Sequence, residues 1–445
     1  MSEVVAVLGY GVTGRSAARH LRAQGYAVCV LDTRAQPDDF VPLEDVEYRF
    51  GEQEWPQLDV GRAVVSPGLS LQSCIIKGAQ AANVEVISDI DLFFEQVDAP
   101  VVGITGTNGK STVTSLVGHL LQQQGLACAV GGNLGTPALD LIEDDLDLCV
   151  LELSSFQLER SRLQQFAAAS VLNLSEDHLD QHQDMQSYRL AKLRIYEQAQ
   201  VCVFNRQDAA TRPPQIDSPR VISFGDDQPQ HDKDWGLTEA QGETWLTQGA
   251  NQMMPIADLP FSGQHNVLNA LAASALVSDW MDIDAIAQHA KSYIGLAHRY
   301  ALVGRFDGVT YINDSKATNV GATLAALSGF EDGQQVVLIA GGDAKGADLS
   351  PLVAEFQRVV RAVICLGQDA LEVATIAERA NVRHIGVQDM HAAVMAARET
   401  AVVGDTVLLA PACASIDMFD NYAQRGEQFA NAVQALANDA GGRHA

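Results

Sequence analysis

Short apolar runs alternate with amphipathic segments from the start of the chain. Apolar runs of about six residues are typical of buried strands, and apolar positions three or four residues apart are typical of helices. The predicted elements of the first region are Val4–Gly9, Gly14–Gln24, Ala27–Asp32, Arg62–Ser66, Leu71–Ala82, Val84–Ile87 and Asp89–Val97, the last capped by Ser88. Strands separated by helices indicate parallel βαβ units. We therefore predict a Rossmann-like domain over residues 1–97.

A second region opens at Pro100 with the same alternation. Its predicted strands and helices are 100–102, Ala127–Gly131, Leu146–Leu153, Ala169–Asn173, Asp184–Gln200, Val201–Asn205, Asn266–Met281 and Ile283–Tyr293. Between Val201–Asn205 and Asn266–Met281, four short apolar runs are separated by polar turns and predict a small antiparallel β excursion. These runs are Val221–Phe224, Trp235–Leu237, Thr244–Leu246 and Met253–Ile256. We predict a central domain over residues 98–297.

The third region begins with a hairpin pattern. Asp307-Gly308 separates the apolar stretches Tyr300–Phe306 and Val309–Asn313, and Asp-Gly is a favoured two-residue turn. Further strands are predicted at Gln335–Ala340, Ala362–Leu366 and Thr406–Ala410. The prediction is a Rossmann-like α/β domain over residues 298–445, and the whole chain is predicted to be a three-domain α/β protein.

Composition and charge narrow the function classes. The chain has 445 residues, 47% of them hydrophobic, and a formal net charge of −27. This charge opposes binding to nucleic acids and anionic membranes. No apolar run has the roughly 20 residues of a membrane span. Seven scattered cysteines without a CxxC pair are typical of free thiols. We expect a cytoplasmic monomer without nucleic-acid or membrane partners.

The most informative stretch is a glycine-rich turn between a strand and a helix. Gly103, Gly106 and Gly109 precede Lys110 and Ser111, in the order typical of a phosphate loop, although Ile104 departs from the strict pattern. Glycines allow backbone N–H groups to face phosphate oxygens, and the following helix N-terminus favours anions. The loop predicts ATP as a ligand, with the lysine on the phosphates and the serine hydroxyl on Mg²⁺.

A second glycine pattern, Gly9–Gly14, matches GxGxxG, and Asp32 follows at the spacing of a ribose-binding acid. Taken alone, this pattern indicates an NAD-dependent dehydrogenase. The same turn can also bind another pyrophosphate or merely permit tight packing. Thr33-Arg34 and Ser66-Pro67-Gly68 add polar loops at the same sheet edge.

Three ionisable residues of the central region are candidates for metal chemistry. Glu152 ends an apolar run, and a buried acid needs a partner such as Mg²⁺. His178 follows the next strand, but a single histidine is more often a surface residue. Lys192 falls within an apolar helical stripe. The spacing alone favours a snorkelling lysine, and the alternative is a buried amine that reacts with CO₂ to form a carbamate.

In chain order, these motifs resemble those of the ATP-dependent Mur ligases of peptidoglycan precursor synthesis. The matching stretches are Gly106–Ser111, Glu152, Glu176–His178, Lys192, Gly295–Arg299 and Asn313–Asn319. Leu151–Leu158 and Pro411–Ser415 are most similar to the member that adds D-glutamate to UDP-N-acetylmuramoyl-L-alanine. Ala297 and Tyr300-Ala301 depart from the family pattern around His298-Arg299.

The resemblance implies a role for each candidate residue. The implied UDP-substrate ligands are Val12, Thr13, Thr33, Arg34, Ser66, Gly68 and Asn133. The implied ATP ligands are Gly106, Thr107, Asn108, Gly109, Lys110, Ser111, Thr112, Asn269, Arg299 and Asp314. The implied D-glutamate ligands are Lys316, Thr318, Lys345, Ser415 and Tyr422. The implied catalytic set is Lys110, Glu152, His178 and Lys192.

The resemblance also implies cofactors and a reaction. Ser111 and Glu152 would bind one Mg²⁺ ion, and His178 with a carbamylated Lys192 would bind a second. The enzyme would form an acyl phosphate and then an amide, releasing ADP and phosphate, in cell wall biogenesis that supports cell shape and division. The alternatives are a related ligase for another amino acid, including a folylpolyglutamate-synthetase-like enzyme, an NAD-dependent dehydrogenase, or a nucleotide-gated binding protein without turnover.

Overall fold

The structure, a computed structural model, describes residues 3–36, 40–162, 165–177, 182, 184–214, 220–261, 263–330, 332 and 336–441. The chain forms two compact units. The first two of its sheets lie in one unit and the third sheet lies in the other. No helix within the described ranges is long and apolar enough to cross a membrane.

The first sheet is parallel throughout, with strand order β3-β2-β1-β4-β5. Its strands are β1 (Val4–Leu8), β2 (Ala27–Asp32), β3 (Val46–Phe50), β4 (Arg62–Val65) and β5 (Glu85–Ser88), and its helices are α1 (Val12–Ala23), α2 (Cys74–Ala81) and α3 (Asp89–Phe94). The predicted Ser88 cap of α3 is confirmed, because its Oγ accepts from the Asp91 N–H at 3.0 Å. The sequence pattern missed β3, an edge strand whose residues are only partly buried.

The second sheet carries the glycine-rich loop at its centre. Strand order is β14-β13-β12-β11-β10-β9-β6-β8-β7. The strands are β6 (Val101–Thr105), β7 (Cys128–Gly132), β8 (Leu148–Glu152), β9 (Ala168–Val171), β10 (Val201–Asn205), β11 (Arg220–Phe224), β12 (Trp235–Ala240), β13 (Glu243–Gln248) and β14 (Asn251–Pro255). The flanking helices are α4 (Lys110–Gln123), α5 (Ser155–Arg160) and α6 (Met185–Leu193), followed by α7 (Gln264–Val277) and α8 (Ile283–Ala290).

Two predictions for this region are corrected. The first strand of the β excursion, β11, pairs in parallel with β10 and so extends the main sheet, whereas β12 and β13 are antiparallel as predicted. The long helix predicted over Asp184–Gln200 ends at Leu193 and continues only as a short 3₁₀ turn, Arg194–Tyr196. Apolar spacing does not distinguish a longer α-helix from a 3₁₀ turn, because the 3₁₀ turn continues the buried face of the preceding helix.

The third sheet has strand order β15-β16-β20-β17-β18-β19. Its strands are β15 (Ala301–Phe306), β16 (Val309–Asn313), β17 (Val336–Ala340), β18 (Val360–Cys365), β19 (Arg383–Gly386) and β20 (Thr406–Leu409), and its helices are α9 (Val320–Ser328), α10 (Leu352–Val359), α11 (Ala370–Arg379), α12 (Met390–Thr400) and α13 (Tyr422–Gly441). The predicted β15–β16 hairpin is confirmed, with Asp307 and Gly308 at φ 52° and 74°. The polar edge strand β19 was missed.

Candidate functional site

The glycine-rich loop connects the carboxyl end of β6 to α4. Gly109 caps α4 at φ +82°, and Gly106 has φ +150° with no room for a Cβ, which would lie 3.1 Å from Leu172 Cβ. Both positions need glycine because their backbones are left-handed or closely packed. Gly103 does not belong to the loop: it lies inside β6, where a Cβ would meet Phe166 at 2.8 Å. The interpretation of Gly103 as a phosphate-loop glycine was therefore wrong.

Asn173, which follows β9, braces this loop through three hydrogen bonds. Its backbone carbonyl accepts from Thr107 N at 2.9 Å, its Oδ1 accepts from Asn108 N at 2.8 Å, and its Nδ2 donates to Asn108 O at 2.9 Å. Sequence reasoning missed Asn173, because its partners lie about 65 residues earlier in the chain. The bracing keeps the loop backbone in the curved form that a phosphate cradle requires.

The first residues of α4 place a lysine, a serine and a threonine at the loop. The Lys110 ammonium donates to the carbonyls of Gly106 at 2.9 Å and Thr107 at 2.7 Å, so its charge lies over the loop. Ser111 is buried, and the carbonyl of Thr112 accepts from Ser115 Oγ at 3.1 Å within the helix. These three predicted phosphate-binding residues therefore form the first turn of the helix that follows the loop.

Glu152 links the loop to the neighbouring strand ends. Ser111 Oγ donates to its Oε2 at 2.5 Å, and Asn133 Nδ2 donates to its Oε1 at 2.7 Å. The carboxylate is 2% exposed and ends β8, directly beside β6. Serine and carboxylate oxygens are the hard ligands that Mg²⁺ prefers, and Mg²⁺ usually takes few protein ligands. The pair therefore fits a magnesium ion.

Lys192 is buried beneath the same loop. It is 2% exposed, its Nζ donates to Gly106 O at 2.9 Å and to Thr105 Oγ1 at 3.3 Å, and it lies 4.7 Å from the centre of the Tyr188 ring. The snorkelling alternative is wrong, because the amine does not reach solvent. Tyr188, whose OH lies 3.2 Å from Thr107 Oγ1, is a second residue that sequence reasoning missed.

The proposed second metal ligand, His178, lies outside the described residues. Within the described ranges, no group of three histidine, cysteine, aspartate or glutamate residues forms a metal cluster. His182, four positions later, stacks on Phe156 at 5.2 Å, and its Nε2 lies 2.9 Å from Ser155 Oγ.

The acid in the GxGxxG region is fully occupied by protein donors. Asp32 Oδ1 accepts from Arg34 N at 2.9 Å and Nε at 3.0 Å, while Oδ2 accepts from Tyr10 N at 2.8 Å and Arg34 Nη2 at 2.7 Å. Burial acts to raise the pKa of Asp32, but the bonds from Arg34 and Tyr10 outweigh it and lower the pKa. A carboxylate accepts about four hydrogen bonds, so Asp32 has no capacity left for a ribose hydroxyl of NAD.

Three of the residues predicted for the UDP substrate, Val12, Thr13 and Asn133, line a cavity of about 250 Å³, whereas Thr33, Arg34, Ser66 and Gly68 are not among its lining residues. Its lining residues are Val12, Thr13, Pro67, Gly132, Asn133, Gly135, Pro137 and Gln157. Ser66 Oγ donates to Gly9 O at 2.8 Å and so closes the glycine turn, and Gly68 lies exposed in the following turn. The backbone carbonyl of Thr33 accepts from Gln53 Nε2 at 2.5 Å. Gln157 was not predicted, and its Ser-x-x-Gln capping motif was the available signal.

In the second unit, Asp314 follows β16 and is half-buried. Burial raises the pKa of its carboxyl to about 7, although the N–H of Tyr300 and the charge of Arg299 act in the opposite direction. Tyr300 N donates to Asp314 Oδ1 at 3.1 Å. His298 and Tyr300 both have positive φ, at 62° and 52°, so the backbone around Arg299 is strained. Such strain is typical of functional segments.

The predicted amino-acid site of this unit is organised around the buried Arg425. Its guanidinium donates to Ser315 O at 2.7 Å, Ser315 Oγ at 3.0 Å and Cys413 O at 3.1 Å, and it is 1% exposed. Burial lowers the pKa of Arg425 to about 10, which leaves it charged at neutral pH. Arg425 was missed by sequence reasoning, and it ties together the segments that carry Lys316 and Ser415.

The individual residues of that predicted site lie in three loops and, for Tyr422, at the start of α13. Lys316 Nζ lies 4.2 Å from the centre of the Tyr422 ring, and Thr318 N donates to Lys316 O at 2.8 Å. Ser415 is buried in the loop after β20. Lys345 has φ 51°, and its N–H donates to Asp343 Oδ1 at 2.8 Å.

The predicted ATP ligand Asn269 is buried in α7, where its Nδ2 donates to Asn266 Oδ1 at 3.2 Å.

Comparison with family models matches three segments of this chain. Residues 3–88 match the model of a Mur ligase MurD-like N-terminal domain. Residues 104–277 match a Mur ligase middle domain, and residues 298–413 match a Mur ligase glutamate ligase domain.

Individual relatives extend the similarity to almost the whole chain. The UDP-N-acetylmuramoylalanine–D-glutamate ligase of Pseudomonas aeruginosa is 46% identical over 440 residues, which cover 97% of this chain and 98% of that protein. The enzyme of the same name from Shewanella oneidensis is 43% identical over the same shares of the two chains.

Solved structures share the fold at low sequence identity. UDP-N-acetylmuramate–alanine ligase from Thermotoga maritima has a TM-score of 0.59 at 16% identity, covering 98% of this chain and 100% of that one. A pseudomurein peptide ligase type C from Methanothermus fervidus has a TM-score of 0.61 at 18% identity, with the same coverage.

Proposed function

This chain belongs to the Mur ligase family, and to its UDP-N-acetylmuramoylalanine–D-glutamate ligases, and from that membership we infer how its residues carry out the reaction. It is an ATP-dependent ligase that adds D-glutamate to UDP-N-acetylmuramoyl-L-alanine in peptidoglycan synthesis. Its reaction forms an amide bond and uses ATP and Mg²⁺.

The observation that best supports the residue assignment is the group of Lys110, Ser111, Glu152 and Lys192 at one phosphate loop. The substrate carboxylate attacks the γ-phosphorus of ATP, the bond to ADP breaks, and an acyl phosphate forms. The amine of D-glutamate then attacks the acyl carbon and loses a proton, and phosphate leaves the tetrahedral intermediate. The Lys110 ammonium stabilises negative charge on the transferred phosphoryl group.

We assign one magnesium ion to Ser111 and Glu152. Bound Mg²⁺ supplies charge neutralisation for the phosphates. We further propose that Lys192 reacts with CO₂ to give a carbamate and a released proton, and that the carbamate and His178 bind a second ion. The buried position of the Lys192 amine, beneath the loop and against Tyr188, supports a covalently modified lysine.

We propose a separate site for the UDP substrate and for D-glutamate. The cavity between Pro67, Asn133 and Gln157 would hold part of the UDP substrate, with Thr33 and Arg34 farther along the same sheet edge. The segments joined by Arg425 would hold D-glutamate. We propose domain boundaries at residues 97/98 and 297/298 and a cytoplasmic monomer of 47.7 kDa, which size-exclusion chromatography with light scattering would test.

Phosphate release tests the acceptor directly. The enzyme is mixed with ATP, Mg²⁺ and UDP-N-acetylmuramoyl-L-alanine, and D-glutamate is compared with L-glutamate, L-lysine and meso-diaminopimelate. We expect release with D-glutamate and only background release with the others or without the UDP substrate. Release with a different amino acid would overturn the acceptor assignment while keeping the ligase mechanism.

The dehydrogenase alternative is disfavoured by one structural observation. All four acceptor positions of Asp32 are occupied by Tyr10 and Arg34. Mixing the protein with NADH should therefore leave NADH fluorescence unchanged, and a saturable change would reopen this alternative.

A further inference from the structure

Asp89, the first residue of α3, carries a buried carboxyl group that the reaction as described does not use. It is 2% exposed, and neither of its carboxylate oxygens has a hydrogen-bond partner among the described residues. Its neighbour Asp91 is fully engaged, with Ser88 N at 2.8 Å and Arg162 N at 2.7 Å. Burying a carboxyl without a partner costs folding free energy. The burial of Asp89 therefore needs an explanation other than a contribution to stability.

Gln157 and Arg160 of helix α5 both interact electrostatically with this carboxyl. Burial raises the pKa of Asp89 to about 7, and the Gln157 amide acts to lower it, although the two groups do not form a hydrogen bond of ordinary geometry in this structure. Asp89 in turn acts to raise the pKa of Arg160, which burial lowers. The Nε atom of Arg160 is also buried and has no hydrogen-bond partner in the part of the chain that the structure describes, while its Nη2 donates to Leu69 O at 2.6 Å.

Gln157 connects this buried group to the substrate cavity. Its Oε1 accepts from Ser154 N at 3.0 Å and from Ser154 Oγ at 3.1 Å, two residues after Glu152. Because the oxygen end is held by Ser154, the Nε2 end is the one left for Asp89. The same side chain lines the cavity beside Pro67 and Asn133.

We propose that Asp89 is a positioning residue, whose carboxylate acts from behind the cavity wall to hold the Nε2 end of Gln157. The nearby Arg160 guanidinium compensates its charge. This inference rests on the proposed assignment of the cavity to the UDP substrate. In this way Asp89, which lies beside the first sheet, sets the position of Gln157, which follows Glu152 of the second sheet.

Steady-state kinetics of Asp89→Leu and Asp89→Asn test the proposal. Leucine fills a similar volume without an acceptor, and asparagine keeps one acceptor oxygen. We expect KM for UDP-N-acetylmuramoyl-L-alanine to rise about tenfold in Asp89→Leu and less in Asp89→Asn, with kcat and the KM for ATP within about twofold. The matched control is Glu85→Gln, which removes a carboxylate that pairs with Arg162 and Arg62 outside the cavity. An unchanged KM in Asp89→Leu would overturn the proposal.

A double-mutant cycle identifies the path of the effect. If Asp89 acts through Gln157, Asp89→Leu should change KM by less than about twofold when added to Gln157→Met. Independent, multiplying effects of the two substitutions would contradict the proposal.

Chemical unfolding separates positioning from a structural role. A structural role predicts lower stability for Asp89→Leu, whereas positioning predicts no loss, because the buried acid itself costs free energy. Lower stability with an unchanged KM would therefore overturn the proposal. Failure of the proposed function gives a different result, since the wild-type enzyme would then release no phosphate with the UDP substrate and D-glutamate.

Discussion

Asp314 shows how a single desolvated carboxyl group at a candidate site can lower stability. Burial raises the pKa of its carboxyl from 3.8 to about 7 in the folded protein. Between these values the folded state binds more protons than the unfolded state, so this residue makes stability fall as pH rises through that window. A carboxyl group with a raised pKa is expected at a site that binds a ligand, because it does not stabilise the fold.

We predict that Asp314→Asn removes this pH dependence. Relative to wild type, the variant should gain about 1–3 kcal/mol in free energy of unfolding between about pH 5.5 and pH 8, since each pKa unit corresponds to about 1.4 kcal/mol. It should also lose most of its ligase activity if Asp314 binds ATP. Urea unfolding at the two pH values checks the first statement. Parallel stability curves for the two proteins would contradict it.

Lys192 gives a second prediction at this scale. We expect Lys192→Ala to be nearly inactive, because it removes the buried amine that would carry the carbamate, and short carboxylates such as acetate should partly restore phosphate release. Lys291→Ala, which removes an exposed lysine paired with Asp258 at 2.8 Å, is the matched control. Wild-type activity of Lys192→Ala without any additive would refute the proposed role.

Residues of the candidate site differ in how far sequence could identify them. Lys110, Ser111 and Glu152 were identified because strand ends and loop motifs place them at one sheet edge. Asn173, Gln157 and Arg425 were not, because each acts through backbone groups or side chains that only folding brings near. The sequence around Asn173 and Arg425 carries no chemical signal strong enough to single them out, whereas the Ser-x-x-Gln capping motif is a signal for Gln157.

At the scale of elements, the GxGxxG turn shows two glycines with different roles. A Cβ on Gly14 would lie 1.8 Å from Gly9 O, so α1 can approach β1 only if this position is glycine. A Cβ on Gly11, three residues earlier, would meet no atom within 4 Å. The third glycine of the pattern is therefore required for the packing of α1 against β1, independently of any ligand.

This difference leads to a paired prediction. Gly14→Ala should lower the free energy of unfolding by about 2–3 kcal/mol or more, because the contact is with a backbone carbonyl that cannot move alone. Gly11→Ala should lower it by less than about 1 kcal/mol. Denaturant unfolding of the two variants checks the contrast. Equal losses would show that the close approach of α1 is not the cause.

The two strands that the sequence pattern missed share a physical property. Strands β3 and β19 are edge strands with exposed or partly buried residues, so they lack the continuous apolar run that marks a central strand. The buried strands β1 and β17 were identified within one residue of their observed bounds, whereas β6 extends three residues beyond the predicted end. Edge strands that keep a short apolar run, such as β7 and β14, were predicted, so the missing apolar run and not the edge position explains the two misses.

For the whole molecule, the net charge of −27 should affect stability. Repulsion among exposed carboxylates opposes the compact state, and salt screens it over about 10 Å at 0.1 M. We predict that Tm rises by several degrees between about 0.05 and 1 M NaCl at pH 8. The rise should be smaller near pH 5.5, where carboxylates begin to gain protons. A Tm that falls with salt would indicate that ion pairs such as Arg361–Asp405 outweigh the repulsion.

The sequence by itself determined the α/β class, the order of most strands and helices, and the phosphate loop with its lysine and serine. These features depend on local periodicity and on residues adjacent in the chain, so short-range chemistry is enough to reveal them. The family motifs extended this knowledge to the reaction.

Only the tertiary structure decided which groups are buried and which partners satisfy them. It showed that Tyr10 and Arg34 saturate Asp32, that Lys192 is enclosed below the loop, and that the buried Asp89 carboxylate has no hydrogen-bond partner among the described residues. The physical reason is that hydrogen bonding and desolvation depend on atoms that lie far apart in sequence. Their energies exist only after the strands and helices have packed.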